Sequence, residues 1–307
     1  MRALESFIID SLGLTTLPPY LPVFLYAFLG FSLVHQILAP WGSRRWFPAA
    51  YGSKNARVQN SWSIHVVSQI HTLIIVPYAA WVLWHESPAR GADRAFGWDE
   101  QVGYVHAIAC GYFLWDSLDA VINFTDLGFV VHGVACLAIY TMSYKPFVAY
   151  YGTRCLLWET STFFLNIHWF MDKTNRTGST AQLVNGFFLL SAFFSVRLIY
   201  GGKVSYDFLQ TLIQVRHEVP LAYILVYGLG NVVLTSLNWF WFYKMISALR
   251  RRFHDTDKAP KEQRRLVRGV QPKGNGNGTG HGEEAAHAHS DAEEGNVGAV
   301  GNGYGTR

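Results

Sequence analysis

Residues 103–123 form an apolar run that carries two carboxylates, Asp116 and Asp119. The run has the length of a bilayer-crossing helix, about 20 residues. Hydrocarbon leaves no water for unpaired backbone groups, so a crossing run of this length reads as a helix. An aspartate at the centre of such a helix costs about 2.5–3.5 kcal/mol on insertion scales. Asp116 and Asp119 are three residues apart and share one helix face. A chain that keeps both there buries that face against other helices.

Further apolar runs of comparable length supply those helices. They lie at about 20–39, 61–84, 127–143, 147–170, 181–200 and 219–246. With 103–123 they predict an all-α, polytopic membrane protein of about seven transmembrane helices. The polar break at 123–126 predicts a tight hairpin between the third and fourth. Only 15% of residues are charged, against about 25% in an average soluble domain. Cys110, Cys136 and Cys155 all fall in apolar runs. They form neither a disulfide framework nor a zinc spacing, and they read as packing residues. Residues 1–19 lack the pattern of a cleavable signal peptide, so the first membrane helix is expected to direct insertion.

Lysine and arginine cluster in the loops at 40–60 and 171–180 and after residue 246. The positive-inside rule then places the N-terminus in the lumen and the C-terminus in the cytosol. The triplets that begin at Asn123, Asn175 and Asn277 face the cytosol in that orientation and stay unglycosylated. Residues 250–307 read as a cytosolic tail, basic to Arg268 and then rich in Gly, Asn, Glu and His. That composition cannot bury enough apolar surface to fold. The 250–268 segment is expected to meet anionic lipid head groups. His281, His287 and His289 are only a compositional hint of metal binding, and no metal site is expected.

Ionisable groups inside membrane helices mark functional sites. Here they are His71, Asp116, Asp119, His132, Arg154, Glu159, His168 and Arg197. At about 1.5 Å per residue, His71, Asp116, His132 and Glu159 can share one layer in the cytosolic half. The fifth helix shows two polar stripes, Glu159/Thr162/Asn166 and Arg154/Ser161/His168. A helix polar on two faces belongs inside a bundle. His71, Asp116, His132, Glu159, Asn166 and Arg197 are therefore the expected cavity lining. A histidine beside a carboxylate in a dry cavity suits acid–base chemistry, which makes His132 and Asp116 the candidate catalytic pair. The alternative is an interhelical hydrogen-bond network, each bond worth about 0.6 kcal/mol.

Five blocks carry a family resemblance. Val67-Ser68-Gln69-Ile70-His71 resembles the "vS-x-x-H" of TLC domains, and Gly111-Tyr112-Phe113-Leu114-Trp115-Asp116 resembles their "gYF-x-x-D". Val130-Val131-His132 resembles the histidine site. Leu157 to Trp169 is similar to "E-x-S-T-P-F-L-N-x-R-W", with Phe163 for the proline and His168 for the arginine. Asn185-Gly186 with Phe193-Phe194-Ser195-Val196-Arg197 resembles "NG…FF-x-x-R". The chain most resembles the small TLC-domain-containing proteins and more distantly the ceramide synthases. The resemblance implies six helices around a central cavity, usually in the endoplasmic reticulum. Ceramide synthases pair two histidines, whereas His132 is followed by Gly133; their D-x-S-D aligns with Glu159-Thr160-Ser161-Thr162.

The expected organisation is an N-terminal segment at 1–59 with the first helix and a basic loop, a TLC domain at 60–249, and the tail at 250–307. The expected function is lipid homeostasis, with membrane lipids or fatty acyl chains bound, sensed or remodelled in the cavity. One alternative is an acyltransferase that uses His132, with acyl-CoA as co-substrate and no resident cofactor. Another is a helper of membrane-protein translocation or export, with the basic tail as its contact. No nucleic-acid partner is expected, and self-association into a homo-oligomer is left open. Other endomembranes and the plasma membrane remain alternatives to the endoplasmic reticulum.

Overall fold

The computed structural model describes residues 5–52 and 54–258. Among them the chain is helical, without strands. Seven rods carry the fold: α1 Pro18–Trp46, α2 Ala56–Trp84, α3 Glu100–Ile122 and α4 Leu127–Met142; then α5, which joins Ala149–Cys155, Leu156–Glu159 and Thr160–Lys173; then α6 Thr180–Gln214 and α7 Leu221–Lys258. By length and composition, five of these are able to cross a membrane: α1, α2, α3, α6 and the 221–251 stretch of α7. At 16 residues, α4 is about 24 Å long, short of a hydrocarbon core about 30 Å thick.

Polar residues at the loop ends start the helices. The side chains of Asn55, Asp99, Asp126 and Ser179 accept from the backbone N–H of Val58, Val102, Gly128 and Gln182. Each satisfies a donor that the first helical turn leaves orphaned. The hairpin break at 123–126 appears as expected, closed by Asp126. Three helices outrun their apolar stretches. α1 continues to Trp46 through a π-helical turn at Val34–Leu38. α6 reaches Gln214 through a second π-helical stretch at Phe193–Tyr200. α7 runs to Lys258, so the start of the basic segment is helical. The rest of that segment and the glycine-rich tail lie outside the described residues.

Six rods close a ring, in the order α2, α3, α4, α7, α6, α5 and back to α2. α1 stands outside and packs along α3 and across α2. Its crossing point is Gly111, where an added Cβ would lie 2.6 Å from Ala27 Cβ and 2.7 Å from the Phe28 backbone nitrogen. Flanked on both sides, α3 buries 72% of its apolar window, against 11–33% in the other four long helices. Large apolar side chains on α1, α6 and α7, Tyr26, Phe187 and Leu229 among them, are exposed, as a lipid-facing surface requires.

Both ends of the bundle are tied by polar groups. At one end Arg90 is buried and bonds Glu86 at 3.0 Å, Asp99 at 2.5 Å and the Val82 carbonyl at 3.1 Å. Arg154 donates to Glu86 at 2.6 Å and 3.1 Å. Burial opposes ionisation of Glu86, but these two arginines outweigh it and hold its carboxyl below the usual range. At the other end Trp115 donates to His35 Nδ1, and Asn60 lies 2.9 Å from His35 Nε2. Asn60 and Asn123 both donate to Asp119 Oδ1, at 3.3 Å and 2.9 Å. Asp119, 4.0 Å from His35 Nε2, thus links the ends of α2 and α3 to the π-helical turn of α1.

Candidate functional site

Two chambers lie within the ring, neither of them fully enclosed. One, about 70 Å³, is mainly apolar, with Tyr140, Tyr151, Leu156, Phe208, Tyr227 and Leu234 in its wall. The other, about 120 Å³, has Ser68, Asp116, Ser161, Thr162, Asn166 and Trp241 in its wall. Phe113, His132, Glu159 and Arg197 line both. These four side chains form the partition where the chambers meet. Along α4, α5 and α7 the polar chamber lies toward the end that holds Phe129, Asn166 and Met245, and the apolar chamber toward the Ser143, Val148 and Tyr227 end.

Arg197 organises the partition. The π-helical stretch of α6 carries it inward, where it is 7% exposed. Its Nε donates to the Trp158 carbonyl at 3.1 Å and to Ser161 Oγ at 2.8 Å. Its Nη1 donates to Asn238 Oδ1 at 3.2 Å. Its Nη2 donates to Glu159 Oε1 at 3.3 Å and to Thr162 Oγ1 at 3.0 Å. A planar guanidinium with five donors can serve that many acceptors; an ammonium cannot. The "E-x-S-T" residues Glu159, Ser161 and Thr162 are therefore the seat of Arg197.

That seat corrects the two-stripe reading of α5. Leu156–Glu159 is a 3-10 turn, with about three residues per turn instead of 3.6. Beyond it, Glu159, Ser161 and Thr162, drawn from both stripes, share one partner, Arg197. Arg154 leaves the cavity for Glu86, and His168 lies beside Gly186 of α6.

Five of the six expected lining residues, Asp116, His132, Glu159, Asn166 and Arg197, come together around the polar chamber. Asn166 donates to Ser68 Oγ at 3.1 Å and links α5 to α2. His132 has Trp241 edge-on at 5.3 Å, and Cys136 Sγ lies 3.9 Å from its Nε2. His71 lines neither chamber. It is fully buried, stacked on Tyr112 at 3.6 Å with Phe31 of α1 edge-on. Neither of its ring nitrogens has a hydrogen-bond partner among the described residues.

The histidine that α2 gives to the chamber is His65, stacked on Trp169 at 4.0 Å. Sequence reasoning missed it, although a signal exists. Ile64, His65 and Ser68 fall on one face at helical spacing, and all three line the chamber. His71 lies about 120° round the helix from His65 at about 100° per residue. Trp241 was missed because nothing in the apolar run of α7 marks its inward face.

The TLC domain family model matches residues 61–247. An uncharacterised TLC domain-containing protein of Schizosaccharomyces pombe is 37% identical over 262 residues, covering 84% of this chain and 89% of that protein. TLC domain-containing protein 4-B of Danio rerio is 30% identical over 71% of this chain and 84% of its own length. TLC domain-containing protein 4 of Homo sapiens is 26% identical over 71% and 85%. No solved structure matches the chain.

Proposed function

The chain belongs to the TLC domain family, and from that premise we propose that it binds a membrane lipid or fatty acyl chain inside its helical ring, in the service of lipid homeostasis. The observation that carries this reading is the pair of chambers that meet at His132, Glu159 and Arg197. The apolar chamber, about 70 Å³, has room for the end of a hydrocarbon chain, and the one beside it, richer in polar groups, suits the part of the ligand that makes hydrogen bonds. Ligand sites of this kind are mostly apolar with a few polar groups that fix orientation. Native mass spectrometry of the purified protein tests it. A lipid or acyl chain that survives transfer into the gas phase is expected, and loss of that adduct is expected when Phe208 in the apolar wall is replaced by Trp. A protein that remains unliganded in every lipid background argues against the reading.

A second reading is acyl transfer from acyl-CoA, with His132 as base and Asp116 as its carboxylate. It is favoured by the presence of both in the wall of one chamber. Turnover with acyl-CoA that His132→Ala abolishes supports it, and bound lipid without turnover argues for the first reading. The proposed setting is the endoplasmic reticulum membrane, with the polar chamber toward the cytosol. The Lys/Arg bias of the loops supports that orientation.

A further inference from the structure

The surface of α1 changes character at its C-terminal end. Residues 21–38 carry no Asp, Glu, Lys or Arg and expose Leu25, Leu29, Leu33 and Leu38. At about 1.5 Å per residue they span about 27 Å, close to the thickness of a hydrocarbon core. The rest of the helix, Ala39–Trp46, therefore emerges at the level of the head groups. There Trp41 and Trp46 are 64% and 67% exposed. The boundary between hydrocarbon and water is the usual setting for such indole rings. Gly42 shapes the pair. An added Cβ there would lie 3.0 Å from the Trp46 ring, which folds back over it and meets Trp41 edge-on at 5.9 Å.

Arg44 and Arg45 stand one turn on from Trp41, at the i+3 and i+4 positions that share its face. Both are exposed, and neither has an ion-pair partner among the described residues. The sequence holds no acid between Asp10 and Glu86, and the connection to α2 adds Lys54 and Arg57, both exposed. A guanidinium presents a planar fork of donors that matches a phosphate. Two such forks beside indole rings at head-group depth complement a phospholipid of net negative charge. We propose that the end of α1 docks an anionic phospholipid, with Arg44 and Arg45 on its head group and Trp41 and Trp46 against its glycerol and upper chains. The site stands outside the ring, before residues 61–247 that the family model matches and apart from the basic segment after residue 250.

The test offers the full-length protein, in a neutral detergent, dioleoyl phosphatidylserine and dioleoyl phosphatidylcholine at equal concentration, with adducts read by native mass spectrometry. Detergent gives the lipids access to both ends of the bundle, so the outcome does not depend on orientation. Phosphatidylserine is expected to be preferred. Arg44→Gln and Arg45→Gln, each checked for native elution on size exclusion, are each expected to cut that preference about five-fold. Trp41→Ala is expected to weaken both lipids alike. Arg176→Gln removes the same charge from the exposed loop after α5 and is expected to leave the preference unchanged. A cut by Arg176→Gln equal to that of Arg44→Gln overturns the local site in favour of diffuse attraction. A preference that survives the double change Arg44→Gln with Arg45→Gln overturns it in favour of another basic segment. Equal binding of the two lipids by the unaltered protein overturns the anionic head group. Inorganic phosphate that abolishes the preference, where chloride of equal ionic strength does not, overturns the lipid in favour of free phosphate.

Discussion

Gly133 of α4 lies so close to Asp116 of α3 that an added Cβ would sit 2.9 Å from Asp116 Oδ2 and 3.0 Å from Ser117 Oγ. This is the position after His132, where the ceramide synthases that this chain distantly resembles place their second histidine. Here the missing side chain is what allows the Asp116 carboxylate to stand against α4. Gly133→Ala is expected to push the two helices apart, at about 1–3 kcal/mol as in other overpacked interiors. Gly133→His is expected to destabilise further and to confer no N-acylation of sphingoid bases. Thermal denaturation in detergent and an acylation assay with acyl-CoA and a sphingoid base check both.

Arg197 is held by Glu159, Ser161, Thr162, Asn238 and the Trp158 carbonyl. Arg197→Met leaves Glu159 as a buried charge without its cation, at an expected cost of about 3–5 kcal/mol. Arg197→Lys is expected to recover little, because an ammonium reaches fewer of these acceptors. The pair Arg197→Met with Glu159→Gln is expected to be more stable than Arg197→Met alone. A double-mutant cycle on melting temperature measures the difference.

Glu86 gives a pH dependence with a definite sign. Arg154 and Arg90 hold its carboxyl below the usual range against the opposing effect of burial. A depressed folded-state value means stability that is fully present above the unfolded carboxylate value, about 4.3, and lost as pH falls toward the folded one. Glu86→Gln is expected to lower the melting temperature at pH 7 and to show a smaller deficit at pH 3.5. An equal deficit at both values would show that the charge of Glu86 does not matter.

His71 packs between Tyr112 and Phe31 without a polar partner among the described residues. His71→Phe keeps the volume and the ring stack and is expected to change stability by less than about 1.5 kcal/mol. His71→Ala opens a void and is expected to cost about 3 kcal/mol or more, in the range of other buried aromatic truncations. Lipid occupancy is expected to survive His71→Phe and to fall with His132→Phe. Mass spectrometry beside a thermal melt separates the two histidines.

Asn123 follows the end of α3, and Asn175 follows the end of α5. In the proposed orientation both face the cytosol, so endoglycosidase treatment of protein from eukaryotic cells is expected to leave its mobility unchanged. A mobility shift abolished by Asn175→Gln would reverse the orientation.

The wall of the site is partly legible in the sequence. Asp116, His132, Glu159, Asn166 and Arg197 are polar groups inside apolar runs, and hydrocarbon tolerates such groups only where protein surrounds them. That rule finds inward-facing residues without a structure. It misplaces His71, because a buried polar ring can also face a neighbouring helix, here α1. It misses Trp241, because an aromatic residue in an apolar run is at home facing lipid or cavity alike. It misses the merging of the two α5 stripes, because a guanidinium on another helix that reaches across both leaves no periodic mark in the sequence.

The sequence by itself determines that the chain is helical and lies in a membrane, where its hairpin turns, and which residues the lipid cannot touch. These follow from the transfer free energies of side chains and backbone, which depend on local composition. Only the tertiary structure decides the closure of six helices into a ring with α1 outside, the seating of Arg197 at a π-helical stretch, and the division of the interior into two chambers. Those depend on which helix faces meet, and on whether a glycine such as Gly133 leaves a neighbouring carboxylate the space to stand there.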